Sequence, residues 1–312
     1  MNANNQFGAK PWGDTDRSII LKIMNSSLKY RSPENHIEHK QDVLDKIFGE
    51  DTDFSRDVLC FENEKNEIVG FAGLTNNSGN TKTWRIAYHV LPEYLDSSLP
   101  KILIEECLTL AKRSDLPEVL LRTSGYKKEF DRELKAHGCN PFHYIWGMNM
   151  TDFNSDIIPI VKTPIGVSIQ QFEELEDYTQ LNFVRNEAFR NSFNFIGFTL
   201  EEWMNFIELQ KNYFTLRFFV ASDGDTLIGY GFVVIHEETK IAYGRTLAVL
   251  PKYRNRGIGG AIIREVMGFL YNEGIKEYRF HVDGENELAM DLYKKNGFQE
   301  LKKTHRRYYR LK

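Results

Sequence analysis

Apolar positions in the second half of the chain fall into two periods. Arg217–Ala221, Leu227–Ile235 and Ile241–Leu250 are short apolar runs bounded by polar residues, and they predict three strands. Ser222-Asp-Gly-Asp225 reads as a hairpin turn between the first two. From about Gly259 to Asn272, Ile262, Val266, Phe269 and Leu270 lie on one stripe of a helix, and Gly274 follows where a left-handed residue would end it. Upstream, Phe172–Phe189 has helical periodicity, and Thr199-Leu-Glu-Glu202 has the capping-box pattern that opens a helix through Trp203 and Phe206. Downstream come a strand at Tyr278–Val282, a helix at Glu287–Lys295 and a closing strand at Thr304–Leu311. The predicted order is helices, three antiparallel strands, helix, strand, helix, strand.

The same pattern occurs twice. Tyr88-His-Val-Leu-Pro-Glu-Tyr94 matches Leu247-Ala-Val-Leu-Pro-Lys-Tyr253, an offset of 251 − 92 = 159 between the prolines. That offset also lays Ile68-Val-Gly-Phe71 on Leu227-Ile-Gly-Tyr230 and His137-Gly138 on Asn296-Gly297. Three matches at one spacing predict two tandem copies of one α/β unit. They meet near Thr151–Pro164, where polar residues and two prolines interrupt the periodicity, giving expected domains 1–155 and 165–312.

Composition removes several classes of function. The 312 residues carry 40 Lys plus Arg against 44 Asp plus Glu, a formal charge of −4, so no basic field offers a surface for nucleic acid. No apolar run approaches the about 20 residues of a membrane span, and the start lacks a secretory pattern. Three cysteines without a CxxC pair (Cys60, Cys107, Cys139) read as reduced thiols of a cytoplasmic protein.

One segment carries chemistry: Val249-Leu-Pro-Lys-Tyr-Arg-Asn-Arg-Gly-Ile-Gly-Gly260. A strand ends, proline breaks it, and a glycine-bearing turn feeds a helix start, where free N–H groups and the helix dipole favour an anion. Gly257 and Gly259 allow close backbone approach, Arg254 and Arg256 can add charge, and the fitting ligand is a phosphate or pyrophosphate. A Walker A loop is excluded because no Lys-Ser or Lys-Thr follows the glycines. A dinucleotide fingerprint fits poorly, with Ile262 where its third glycine belongs, and Asp283 is the best that reading offers. A glycine turn with no ligand is the plainer alternative.

Arg254-Asn-Arg-Gly-Ile-Gly259 resembles the R/Q-x-x-G-x-G acetyl-CoA loop of the GCN5-related N-acetyltransferase (GNAT) superfamily. Asn286-Glu-Leu-Ala-Met-Asp-Leu-Tyr-Lys-Lys-Asn-Gly-Phe298 resembles that family's N-x-x-A-x-x-L-Y-x-x-x-G-F motif. The likeness covers about Val167–Lys312, and the first half only in element order. It implies a mixed α/β (α+β) fold of two tandem GNAT domains, each a mostly antiparallel sheet flanked by helices with a splayed central strand pair. Acetyl-CoA, used as co-substrate with no metal, would lie between the strands ending at Val249 and Val282. Its pantetheine arm would pair with Leu247, Ala248 and Val249, and its pyrophosphate would rest on the amides of Asn255, Arg256, Gly257, Ile258, Gly259 and Gly260. Asn286 and Tyr293 would face it from one helix, Tyr293 protonating the leaving thiolate. His281 stands where some relatives place a base, and Tyr243 roughly where others place a glutamate, so a water relay with no dedicated base stays open. A buried packing aromatic and a hydrogen-bonded strand histidine are the plainer readings of Tyr293 and His281.

The first copy departs at the same sites. Leu95-Asp-Ser-Ser-Leu-Pro100 has neither arginine nor glycine, Pro100 lacks an N–H, and Lys127 and Leu134 replace Asn286 and Tyr293. It is expected to have lost the cofactor and to shape the acceptor pocket. The expectation is an N-acetyltransferase acting by direct transfer on a small-molecule or peptide amine, as a monomer or homodimer, with no nucleic acid or membrane partner. A non-catalytic acyl-CoA-binding scaffold is the alternative. Phe183, Phe189, Phe193, Phe195 and Phe198 crowd the acceptor region, more as packing than as recognition. Glu201, Glu202 and Glu208 read as a solvated helix face, and His305, Arg306 and Arg307 as a charged strand edge.

Overall fold

The computed structural model describes residues 6–13, 16–31, 44, 47–48, 52–75, 83–124, 127–151, 153 and 163–312. It divides into two compact units, Met1–Tyr144 with Arg306–Lys312, and Ile145–His305. The join expected at Thr151–Pro164 falls largely outside the described residues.

The first unit contains β1 (Phe7–Pro11), α1 (Ser18–Arg31), the single turn α2 (Phe54–Asp57), β2 (Val58–Asn63), β3 (Ile68–Thr75), β4 (Thr83–Val90), α3 (Leu99–Arg113), β5 (Glu118–Ser124) and α4 (Lys128–Ala136). From Ile145 on, β6 (Pro141–Met150) belongs to the second unit. It is followed by β7 (Val167–Phe172), α5 (Thr179–Phe189), α6 (Leu200–Lys211), β8 (Thr215–Asp223), β9 (Thr226–His236), β10 (Ile241–Val249), α7 (Ile258–Asn272), β11 (Glu277–Asp283), α8 (Glu287–Lys295) and the two-residue β12 (Gln299–Glu300). The last strand, β13 (Arg306–Arg310), returns to the first unit.

Strands order as β1-β2-β3-β4-β5-β13 in the first unit and β6-β11-β10-β9-β8-β7 in the second, where β12 pairs with β6. In each unit one central pair is parallel, β4 with β5 and β10 with β11, and the other registered pairs are antiparallel. This is the mixed, mostly antiparallel sheet with flanking helices that the resemblance implies.

Three expectations need correction. The helical stretch read over Phe172–Phe189 is a strand to Phe172 and a helix only from Thr179. Val167–Phe172 pairs with Phe218–Asp223 as an edge strand, and Asp177 accepts the Thr179 N–H at 2.8 Å to start the helix. The strand read over Thr304–Leu311 does not close the second sheet. Arg306–Arg310 pairs with Leu120–Ser124 of β5, while Ile145–Met150 pairs with β11 in the second unit. Arg307 is not a mere edge charge either. With Tyr309, it holds the buried Asp131 of α4, at 2.6 and 2.8 Å.

Both faces of the second sheet are covered. Ile262, Val266 and Leu270 of α7 pack on Val233 and Ile235, while Leu181, Val184, Trp203 and Ile207 of α5 and α6 pack on Phe232 and Val234. The alternation of strand side chains sends neighbours on β9 to opposite cores. Gly231 sets the closeness of α7, since a Cβ there would lie 2.8 Å from Ile262 Cγ2. The start of α7 is thereby pinned beside the end of β10.

Candidate active site

The parallel pair β10–β11 is short. It is registered from Ile241/Glu277 to Tyr243/Arg279, and β10 then loses register with β9 between Gly244 and Thr246. A bulge bends its strand. Beyond it, among the described residues, no strand pairs with the β11-facing side of Thr246–Val249. This is the expected splay.

The backbone direction along that side follows from one bond. Leu250 N–H donates to Ile228 O at 2.9 Å, so Leu250 and Ala248 address β9. By the two-residue repeat, Leu247 and Val249 turn their N–H and C=O groups into the gap.

At the end of β10, a single 3₁₀ turn at Pro251–Tyr253 leads to Asn255 at φ +60° and Gly257 at φ +79°, the N-cap of α7. The first intrahelical N–H bond is from Ala261 to Gly257 O at 3.0 Å. The N–H groups of Ile258, Gly259 and Gly260 lie ahead of the ladder at the positive end of the helix. Arg256 is exposed beside them, its guanidinium 5.2 Å from the Tyr253 ring centroid. Arg254 has a different use. It donates to Val249 O at 3.2 Å and to Ala188 O at 2.6 Å, tying the end of β10 to the end of α5.

Leu292 of α8 packs on the start of α7, as Cβ atoms on Gly259 and Gly260 would meet it at 3.5 and 3.4 Å. The next residue, Tyr293, is 8% exposed and packs on Phe280 at 4.2 Å between ring centroids. Burial pushes its phenol above the ordinary tyrosine range, and among the described residues the hydroxyl makes no hydrogen bond. Asn286 caps α8, its Oδ1 accepting the Ala289 N–H at 3.1 Å.

His281 is not gathered with Tyr293. Phe280 touches Tyr293, so its neighbour His281 points to the other face of β11. His281 is exposed, with Nε2 3.2 Å from Thr304 O. A carbonyl only accepts, so Nε2 carries the hydrogen there and any basicity belongs to Nδ1. Of the acidic residues on α6, Glu202 completes the capping box with Thr199, and Glu208 pairs with Lys211 at 2.7 Å.

The matching place in the first unit is filled from within. Leu91 N–H donates to Val69 O, which turns the Tyr88 carbonyl away from β3, and the β4–β5 register ends at Ile86/Leu121. Tyr88 is the counterpart of Leu247. Its carbonyl accepts a hydrogen bond from Lys127 Nζ at 3.0 Å, and this ammonium, on a side chain only 6% exposed, sits 3.3 Å from the Tyr88 ring centroid. The helix start is also occupied: Leu99 N–H donates to Ser97 Oγ at 3.1 Å, and Pro100 has no N–H. Position 127 stands out in the sequence only as a departure from asparagine, so its insertion under the strand is learned from the structure.

Against known proteins, residues 179–298 match the acetyltransferase (GNAT) family. Thialysine N-epsilon-acetyltransferase of Mus musculus is 35% identical over 83 residues, 26% of this chain and 49% of that protein, so the chain spans about half the length of this relative. Mycothiol acetyltransferase of Pseudarthrobacter chlorophenolicus is 22% identical over 238 residues, 74% of this chain and 71% of its own. In fold, a tandem GNAT protein from the clavulanic acid biosynthesis pathway superposes with a TM-score of 0.67 at 13% identity, covering 97% of this chain and 98% of that one. With its splayed strand pair and glycine loop, the second half of the chain, over residues 179–298, is what matches the acetyltransferase (GNAT) family.

Proposed function

We propose that the chain is an N-acetyltransferase that moves an acetyl group from acetyl-CoA to a primary amine by direct attack in a ternary complex. A single site, in the second unit, would serve the reaction. The observation that carries this is the strand-free side of β10 running into the free N–H groups at the start of α7. The Leu247 and Val249 backbone would pair with the amides of the pantetheine arm, as an added strand does. The amides of Asn255–Gly260 would receive the pyrophosphate, with Arg256 adding charge. Arg254 serves better as a tie between β10 and α5 than as a phosphate ligand, since two of its donors already have acceptors. The first unit would bind no CoA, because Lys127, Ser97 and Pro100 take up or remove the matching groups.

In the transfer, the amine nitrogen bonds to the acetyl carbon and the C–S bond breaks. An N–H of the β10 edge near Leu247 would steady the oxyanion. The Tyr293 hydroxyl, kept protonated by burial, would donate its hydrogen to the departing sulfur, and the amine's proton would leave to His281 or to a water. Much of the rate would come from holding the partners together. The three cysteines are free, as suits the reducing setting of the cytoplasm.

The test is thiol release from acetyl-CoA across a panel of amines. Wild type should turn over at least one amine, and Tyr293→Phe, which keeps the ring packing, should lower kcat about 10- to 100-fold with little change in KM for acetyl-CoA. CoA binding without release for any amine would favour a scaffold instead. Unchanged kcat in the variant would remove Tyr293 from the acid role.

A further inference from the structure

The face of the second unit opposite Tyr293 holds an unpaired cation. Arg185 of α5 lies among three rings, its guanidinium carbon 4.0 Å from the centroid of Phe198, 4.9 Å from Phe195 and 5.4 Å from Trp203. Among the described residues its one hydrogen bond is to Asn186 Oδ1 at 3.2 Å, and no carboxylate pairs with it. Burial lowers its pKa, the mark of a charge held away from water. A half-buried guanidinium with no counter-charge is costly unless something else supplies one.

Buried polar atoms nearby also lack partners. Burial raises the pKa of the Tyr230 hydroxyl, on a residue with 0% exposure, while the nearby Arg185 cation and Thr246 side chain oppose that rise; no partner meets it in good hydrogen-bond geometry. Trp203 Nε1, on a residue 1% exposed, has none either. Indole and guanidinium nitrogens only donate, so this cluster is short of acceptors.

The box is built rather than incidental. Asn182 and Asn186 both donate to Phe198 O at 2.9 Å, and Asn186 Oδ1 accepts the Phe198 N–H at 3.1 Å, which fixes the connection between α5 and α6 over Arg185. It also adjoins the gap. Tyr230 is registered opposite Ala248, and Ala188, one turn beyond Arg185, shares the Arg254 guanidinium with Val249 O.

We propose that the acceptor amine carries a carboxylate, which Arg185 receives in this box with the Tyr230 hydroxyl as a second donor. The forked guanidinium matches two coplanar oxygens, and the ring walls suit a flat group. The acceptor class is then an amino acid or a peptide-like acid. This rests on the acetyl-transfer reading.

The experiment uses matched acceptors: L-lysine against L-lysinamide, β-alanine against β-alaninamide, and ethanolamine against O-phosphoethanolamine. Among the pairs turned over, wild type should prefer the acid over its amide by about tenfold or more in kcat/KM, the scale of a charge-assisted hydrogen bond. Arg185→Gln should erase that preference and Arg185→Lys should restore part of it, with KM for acetyl-CoA unchanged. Amides turned over as well as acids, a preference surviving in Arg185→Gln, or O-phosphoethanolamine as the favoured acceptor would each overturn the proposal. A second measurement separates it from the transfer reading. With CoA present, N-acetyl-β-alanine should raise the wild-type Tm more than N-acetyl-β-alaninamide does, and Arg185→Gln should lose the difference. That difference without thiol release would sink the transfer and keep the carboxylate site. No difference in wild type would sink the site. The wild-type comparisons decide even if a variant does not fold.

Discussion

Two glycines at opposite ends of α7 allow strain and ligand contact to be separated. Gly257 has φ +79° at its start and Gly274 φ +65° just past its end. A Cβ at Gly257 would find only Pro164 Cγ, at 3.8 Å, and one at Gly274 nothing within 4 Å. Alanine at either site thus meets no clash and costs only the left-handed backbone, about 1–2 kcal/mol, partly offset by a less flexible unfolded chain. For a unit of this size each kcal/mol lowers Tm by about 2–4 °C, so both variants should melt a few degrees early without ligand. CoA at about a hundred times Kd should add about 2.7 kcal/mol to wild type. Gly274→Ala should keep that gain. Gly257→Ala should lose most of it, because a chain relaxing out of the left-handed region re-aims the N–H groups of Ile258, Gly259 and Gly260. Scanning fluorimetry with and without CoA reads both effects. Equal CoA shifts in the two variants would refute the anion site at this helix start.

Two further outcomes follow from buried groups. Burial raises the pKa of Tyr230, Tyr278 and Tyr293 in the folded chain, which therefore keeps protons that the unfolded chain releases above about pH 10, and stability should fall there by about 1.4 kcal/mol per pH unit for each tyrosine. Urea melts through that range should show a steep decline, made shallower by one tyrosine in Tyr293→Phe, and a flat profile would contradict the burial of these phenols. In the first unit, Lys127→Ala should cost about 2 kcal/mol through its lost bond and ring contact. Calorimetry should still count one CoA per chain, because Ser97 and Pro100 continue to disable that helix start; a second equivalent would show that Lys127 alone excludes the ligand.

Much of this protein is local in its sequence. The repeat at an offset of 159 is visible by comparing the chain with itself, and the hairpin at 222–225, the capping box at Thr199 and the glycine loop at 254–260 depend on neighbours a few residues apart, decided by short-range sterics and hydrogen bonds. The element order follows from such pieces, whereas the splayed pair is implied by the resemblance to the GNAT family. Alternation on β11 already carried the separation of His281 from Tyr293, once Phe280 is known to touch the tyrosine. What needed the tertiary structure is pairing at long range. Arg306–Arg310 and Ile145–Met150 are both competent strands, and nothing in either pattern names the edge that takes it, because backbone hydrogen bonds carry no sequence label. Arg185 and Lys127 are likewise silent as letters. One becomes a cation without a counter-charge, and the other a plug under Tyr88, only when folding withdraws them from water and chooses their neighbours.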